Sequence, residues 1–298
     1  MVVARAQEEW QTLRSELFPT KVLLDLSDLV LTAQRLPTAN QPPQAPWIVP
    51  LPAATCRGGR PLQTEALGDF LGDLLLSHGQ IKALLSVALP AAACYWRALQ
   101  WPLGAWPQEP ARKLRSLQPD LNLPFALEQA WIDVMPVRGG DIEALVVAIE
   151  RQLLAEWLEV FNIAGVRLGR MVPAQVAWMV GLQERLLGAD STTLVGLLLP
   201  EPQALRLLVW RAGVPLYERL LKGEPDQWLG QLEACLRFLR WQQGGQATQT
   251  IELLLAAGLA AGQQERLQLS CPQPLELLDS GEYGNLALRG LALLEGPP

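Results

Sequence analysis

The sequence predicts a mixed α/β protein whose sheets contain antiparallel hairpins, and so not an all-parallel doubly wound sheet. Three observations carry that reading. Strand-sized apolar runs such as Leu84–Leu89 alternate with longer segments whose apolar residues recur at helical spacing, such as Thr64–Ser77. Two pairs of strand runs are separated by only a few turn-forming residues, at Ser27-Asp28 and within "RAGVP", which leaves no room for a crossover. The chain has 298 residues, 50% of them apolar, enough for two domains, or one domain with an insertion, around an ample core.

Taken in order, residues 4–18 place Trp10, Leu13, Leu17 and Phe18 on one helical face, closed by Pro19. "KVLLDLSDLVLTAQRLP", residues 21–37, follows: an apolar run ending on Asp25, a polar break at Ser27 and Asp28, and a second run over 29–36. That is the outline of a hairpin with a carboxylate at its tip. The proline-rich stretch 38–61 ends in "CRGGRP" and reads as loop with one short strand at 47–51. Thr64–Ser77 is a helix with Leu67, Phe70, Leu71, Leu74 and Leu75 on its face and Thr64 as its cap. Leu84–Leu89 and 94–99 are buried strands joined through Pro90. A short helix is expected at 111–118, a strand at 131–136, a turn at "RGGD" and a buried strand at "EALVVAIE". Helices follow at 151–161 and across "AQVAWMVGLQERLLG". The last third reads as three strands in "TTLVGLLLP" and "ALRLLVWRAGVPLYERLL", a helix at 227–242 ending in "QQGGQ", a strand at Ile251–Leu255, a Gly/Ala-rich turn and a final helix in "NLALRGLALL".

Composition narrows the function classes. A net charge of −6 without a Lys/Arg cluster argues against nucleic acid as partner, because neutralising phosphates takes a basic surface. No apolar run approaches the roughly 20 residues a membrane-spanning helix needs. The N-terminal stretch mixes both charge signs and lacks the apolar core of a secretory signal, so a cytoplasmic location is expected. The 4 cysteines, Cys56, Cys94, Cys235 and Cys271, form no CxxC pair and read as buried thiols. His78 is the only histidine; "LLLSHGQ" makes it a helix-terminal residue, which leaves little scope for a zinc site or a Ser-His-Asp triad.

Several segments, in order, carry a resemblance. "ALLSVALPAAACYWRALQWP" contains a strand–Pro–strand unit closing on Arg97, Leu99 and Pro102. "LPFALEQAWIDV" supplies Pro124, Phe125, Glu128 and Asp133. "ALVVAIERQLLAEWLEVFNIAGV" is a strand–helix unit with Val166 in place of a leucine, and "VWRAGVPLYERLL" and "NLALRGLALLEG" complete the set. Together they resemble the type IV pilus assembly protein PilM family, related to the cell-division protein FtsA, over nearly the whole chain after residue 20. The resemblance implies an actin-like ATPase fold of two domains: 20–185, carrying an inserted small α/β subdomain over about 82–168, and 186–298. Residues 1–19 form a helical extension that departs from the family. It further implies a cytoplasmic adaptor held at the inner membrane by the N-terminal tail of a PilN-like protein, joining PilN/PilO to the pilus motor ATPases. Two other readings share the fold: a working ATP-binding actin-like protein, and the cytosolic domain of a GspL-like type II secretion protein.

That fold implies two phosphate hairpins of Asp-x-Gly type, in which glycine lets backbone N–H groups approach phosphate and the Asp holds Mg²⁺ through water. In the first hairpin Asp25 is present and Ser27 stands at the glycine position. In the second, the corresponding stretch reads Leu199-Pro200-Glu201, followed by Pro202, and proline has no N–H to give. The base-binding loop is "LAAGLAAG", keeping Gly258 and Gly262. Asp25, Ser27 and Gly258 are therefore the cofactor-site candidates of a vestigial cleft. No catalytic residue, metal ligand or required cofactor is expected, although ATP/Mg²⁺ is the ligand such a cleft would take. Locally, Asp25 also reads as a plain turn carboxylate. Docking of a peptide needs an apolar groove and exposed backbone; Trp96 and Trp101 lie on a segment that could border it, with core packing as the simpler reading.

Overall fold

The computed structural model describes residues 19–37, 44–80, 82–101, 106–117, 121–139, 142–190, 192–201, 204–242, 250–271 and 273–296. The helix expected over 4–18 lies outside these residues, as do Gly140 and Asp141 of the "RGGD" turn and residues 243–246 of "QQGGQ".

Two five-stranded mixed sheets share one topology. In the first, β1 (Lys21–Leu26) pairs antiparallel with β2 (Val30–Arg35), and β2 with β3 (Trp47–Pro50). On its other side β1 runs parallel to β6 (Leu84–Leu89), and β6 parallel to β10 (Arg167–Pro173). The second sheet repeats this with β11 (Leu194–Glu201), β12 (Ala204–Arg211) and β13 (Val214–Lys222) antiparallel, and β14 (Ile251–Leu255) and β15 (Leu275–Leu277) parallel. A three-stranded antiparallel sheet, β7 (Tyr95–Leu99), β9 (Ile142–Glu150) and β8 (Ala130–Gly139) with β9 central, enters the chain between β6 and β10. The two-residue strands β4 (Cys56–Arg57) and β5 (Arg60–Pro61) form a minute hairpin of their own.

Helices cover both faces of the first sheet, which is why β1 carries three consecutive buried apolar residues, Val22, Leu23 and Leu24, rather than alternation. On one face α1 (Thr64–Ser77) and α3 (Arg151–Ile163) bring Leu67, Leu71, Trp157 and Phe161 against Val22, Leu24, Leu85 and Val87. On the other, Leu23 and Ala88 meet α4 (Ala174–Gly181) and α8 (Leu286–Leu294). Those two helices touch backbone to backbone: a Cβ at Gly290 would stand 1.8 Å from the Ala177 carbonyl oxygen, and one at Gly181 2.7 Å from that of Leu286. The second sheet is closed by α6 (Pro225–Gln242) through Trp228, Leu232, Leu236 and Leu239. The three-stranded sheet packs α2 (Pro110–Leu117) on one face and, through Trp96, Leu145 and Val147, the second sheet on the other.

Several elements differ from the sequence expectation. "AQVAWMVGLQERLLG" is two helices, α4 and α5 (Gln183–Gly188), broken at Leu182, directly after the glycine pressed against Leu286. Helix α1 begins at Thr64, with Gln63 at the cap position and no side-chain cap bond. β10, β15, the β4–β5 hairpin and α7 (Ala261–Ser270) are additional. α7 buries only Leu267, so it carries no apolar stripe for periodicity to find. His78 is the C-cap of α1, its ring stacked on Trp47 at 3.9 Å and its Nδ1 2.9 Å from the Leu74 carbonyl oxygen. Among the described residues no helix is long and apolar enough to cross a membrane.

Candidate functional site

The β1–β2 tip carries two of the candidates. Asp25 lies half-buried near the end of a central strand, opposite Thr32 on β2 and Ala88 on β6. Its Oδ2 accepts from Asn285 Nδ2 at 2.7 Å. Asn285 is the N-cap of α8, and its Oδ1 accepts from the Leu288 N–H at 2.9 Å. One amide thus joins the first hairpin to the start of the last helix. Burial pushes the Asp25 carboxyl up to about 6, with the Asn285 hydrogen bond pulling the other way.

Ser27 closes its own turn. Its hydroxyl donates to the Val30 carbonyl oxygen at 2.9 Å and accepts from the Val30 N–H at 3.0 Å, while its own N–H donates to the same carbonyl at 3.0 Å. Next to it, Asp28 reaches the β4–β5 turn: Oδ2 accepts from Gly58 N–H at 2.6 Å and Oδ1 from Gly59 N–H at 2.7 Å. The donors of this tip that an external phosphate would draw on, Ser27 Oγ, Val30 N–H and the two glycine amides, are engaged by internal acceptors.

Gly258 lies beside the other hairpin. It follows β14 at φ +131°, and a Cβ there would lie 3.5 Å from Pro200 Cβ. Counted back from each tip, Pro200 occupies the ladder position in β11 that Asp25 occupies in β1, one pair before the last. The faces differ, however: Asp25 lies on the side of β1 that Leu23 turns to α8, and Pro200 on the side of β11 that Leu198 turns to α6. The neighbouring Glu201 is bound by Arg206, which also holds Glu218, and Glu218 in turn accepts from Trp96 Nε1 at 2.6 Å. Among the described residues no hydrogen bond joins Gly258 to Asp25 or Ser27, and no group of three His, Cys, Asp or Glu side chains is placed to hold a metal ion.

Trp96 and Trp101 are core residues, 6% and 5% exposed, Trp96 meeting Trp210 edge-on at 6.1 Å. Asp28, Gly59 and Asn285 are the contributors that sequence reasoning passed over. Asn285 is legible as a helix cap, but its bond to Asp25 spans 260 positions and leaves no local trace. For Asp28 the only hint is a Gly-Gly pair between two arginines some thirty residues on.

No family model and no curated protein matches the chain. Solved structures do. A chain of a PilM–PilN type IV pilus biogenesis complex superposes with a TM-score of 0.72 at 19% identity, covering 94% of this chain and 99% of that one. A Bacteroides thetaiotaomicron protein with an actin-like ATPase fold gives 0.55 at 11%, over 92% and 95%. The cytoplasmic domain of EpsL, an inner-membrane component of the Vibrio cholerae type II secretion system, gives 0.54 at 17%, over 93% and 95%. The chain has the actin-like ATPase fold.

Proposed function

We propose that this protein is a PilM-like adaptor of a type IV pilus assembly machine, which captures the N-terminal tail of a PilN-like inner-membrane protein and works in the cytoplasm without nucleotide turnover. The observation that carries the reading is the end-to-end correspondence with a chain of the PilM–PilN complex, which leaves almost nothing of either chain unmatched. We divide the chain as 20–185, with the inserted sheet inside it, and 186–298.

Two features of the hairpins support the absence of turnover. At the end of β11 Pro200 has no N–H to offer a phosphate, and the neighbouring acid, Glu201, is held by Arg206. The first tip turns its donors inward and carries a second acid, Asp28, whose charge repels phosphate. An actin-like fold without that chemistry can still present a peptide groove, because peptide docking draws on shape and backbone. The EpsL likeness favours one second reading, the cytosolic domain of a GspL-like type II secretion protein.

Titration calorimetry with a synthetic N-terminal tail of a PilN-like protein tests the adaptor role: saturable binding is expected, and the absence of any heat at high peptide concentration would sink it. A thermal-melt titration with Mg-ATP tests the cleft. A ligand at about a hundred times its Kd adds roughly 2.7 kcal/mol of stability. No shift is expected at millimolar ATP; a shift that Asp25→Ala abolishes would make the protein a nucleotide-dependent adaptor.

A further inference from the structure

The β4–β5 hairpin has a two-residue turn. Arg57 pairs with Arg60, leaving Gly58 and Gly59 at φ +60° and +77°, the left-handed pair that a tight primed turn requires. The same turn recurs between β12 and β13, where Ala212 and Gly213 stand at +50° and +77° between the paired Arg211 and Val214. There, among the described residues, no side chain accepts from the turn amides. At Gly58–Gly59 both amides converge on one carboxylate, each taking a different oxygen of Asp28, at 2.6 and 2.7 Å.

The turn is also held from behind. The Gly59 carbonyl oxygen accepts from the buried Trp157 Nε1 at 2.9 Å, and a Cβ on Gly59 would fall 2.3 Å from the Ala93 nitrogen. Arg60 is fixed by Glu150 and Glu156 at 2.7 and 2.6 Å. Two convergent backbone N–H groups on a rigid turn are the elements of an anion-binding concavity, and hydrogen bonds to an ionised acceptor are the stronger kind.

We propose that the Gly58–Gly59 turn is an oxyanion seat which Asp28 fills in cis, an internal carboxylate that locks the first hairpin and closes its tip to external carboxylate or phosphate. Asp28 acts here as a positioning residue. The inference goes beyond the adaptor reading and does not depend on it.

The test is a thermal melt of Asp28→Ala titrated separately with acetate and inorganic phosphate, against sodium chloride of equal ionic strength. The variant is expected to melt a few degrees below wild type. Acetate or phosphate then restores at least half the loss, saturably, while chloride does not and wild type does not respond. Recovery by acetate alone marks the seat as fitted to a carboxylate; recovery by phosphate alone marks it as fitted to a phosphate. The proposal is overturned if Asp28→Ala melts with wild type, if neither anion moves its lowered melt, or if both proteins respond equally. Should the variant fail to fold, hydrogen exchange on wild type decides. The Gly58 and Gly59 amides should exchange at least about tenfold more slowly than that of Gly213, and equal rates would refute the seat.

Discussion

Asp25 is held by one side-chain donor in surroundings that favour its neutral form, and this gives the protein a pH dependence of definite sign. Burial raises its carboxyl from 3.8 to about 6, so between those values the folded state keeps a proton that the unfolded state has released. Stability therefore falls as pH rises through that window and levels off above it, by an amount of order 2–3 kcal/mol. Asp25→Asn has no proton to lose, and its amide oxygen can still accept from Asn285. Urea melts at pH 4 and pH 7.5 should find the variant close to wild type at the lower pH and more stable at the higher. A gap that does not widen with pH would mean that the carboxylate is better solvated than its position suggests.

At the scale of elements, glycines decide which helices can approach. In the pairing of α4 with α8, Gly290 meets the Ala177 carbonyl oxygen so closely that one added methyl must part the helices. Gly290→Ala is expected to cost about 3 kcal/mol or more, read from denaturant melts, at the upper end of overpacking penalties. Gly230 sits on the exposed side of α6 with nothing within 4 Å of the site a Cβ would take. Gly230→Ala should instead stabilise by roughly 0.5–1 kcal/mol, since alanine loses less backbone entropy in a helix. Opposite signs from one chemical change would confirm that backbone contact, and not helix propensity, sets the α4–α8 distance.

For the molecule as a whole, the residue following the last described helix is tied to the first sheet. Glu295, just after α8, accepts from Lys21 on β1 at 2.5 Å, Ser86 on β6 at 2.6 Å and Arg170 on β10 at 3.2 Å, so one carboxylate spans three adjacent strands of the first sheet. Burial alone would raise its pKa, but the bonds from Lys21, Ser86 and Arg170 together hold it below the usual carboxylate value. This contribution is present above the unfolded value near 4.5 and is lost as pH falls through the lower folded one. Lys21 and Arg170 are 37% and 42% exposed and can rehydrate, so Glu295→Gln should cost only about 1–2 kcal/mol at pH 7 and almost nothing in strong acid. A cost unchanged at low pH would show that packing, not charge, is what the residue supplies. Much of the architecture was legible because local patterns report it: the β1–β2 and β12–β13 hairpins, α1, α3, α6 and α8 all follow from periodicity and turn chemistry. Asp25 and Ser27 were legible as the two ends of a hairpin tip, and Pro200 and Pro202 as residues without an amide to offer. What the hairpin tip does with its polar groups was not. Asn285 on Asp25, Gly58 and Gly59 on Asp28, and Glu295 across three strands join residues tens to hundreds of positions apart, and hydrogen bonds of that span leave no periodic mark on the sequence. The sequence by itself determined which segments become strands and helices, because burial of an apolar face acts over neighbouring turns. Only the tertiary structure decided which donors stay open and which are closed by the protein's own acids, because that depends on how distant segments meet.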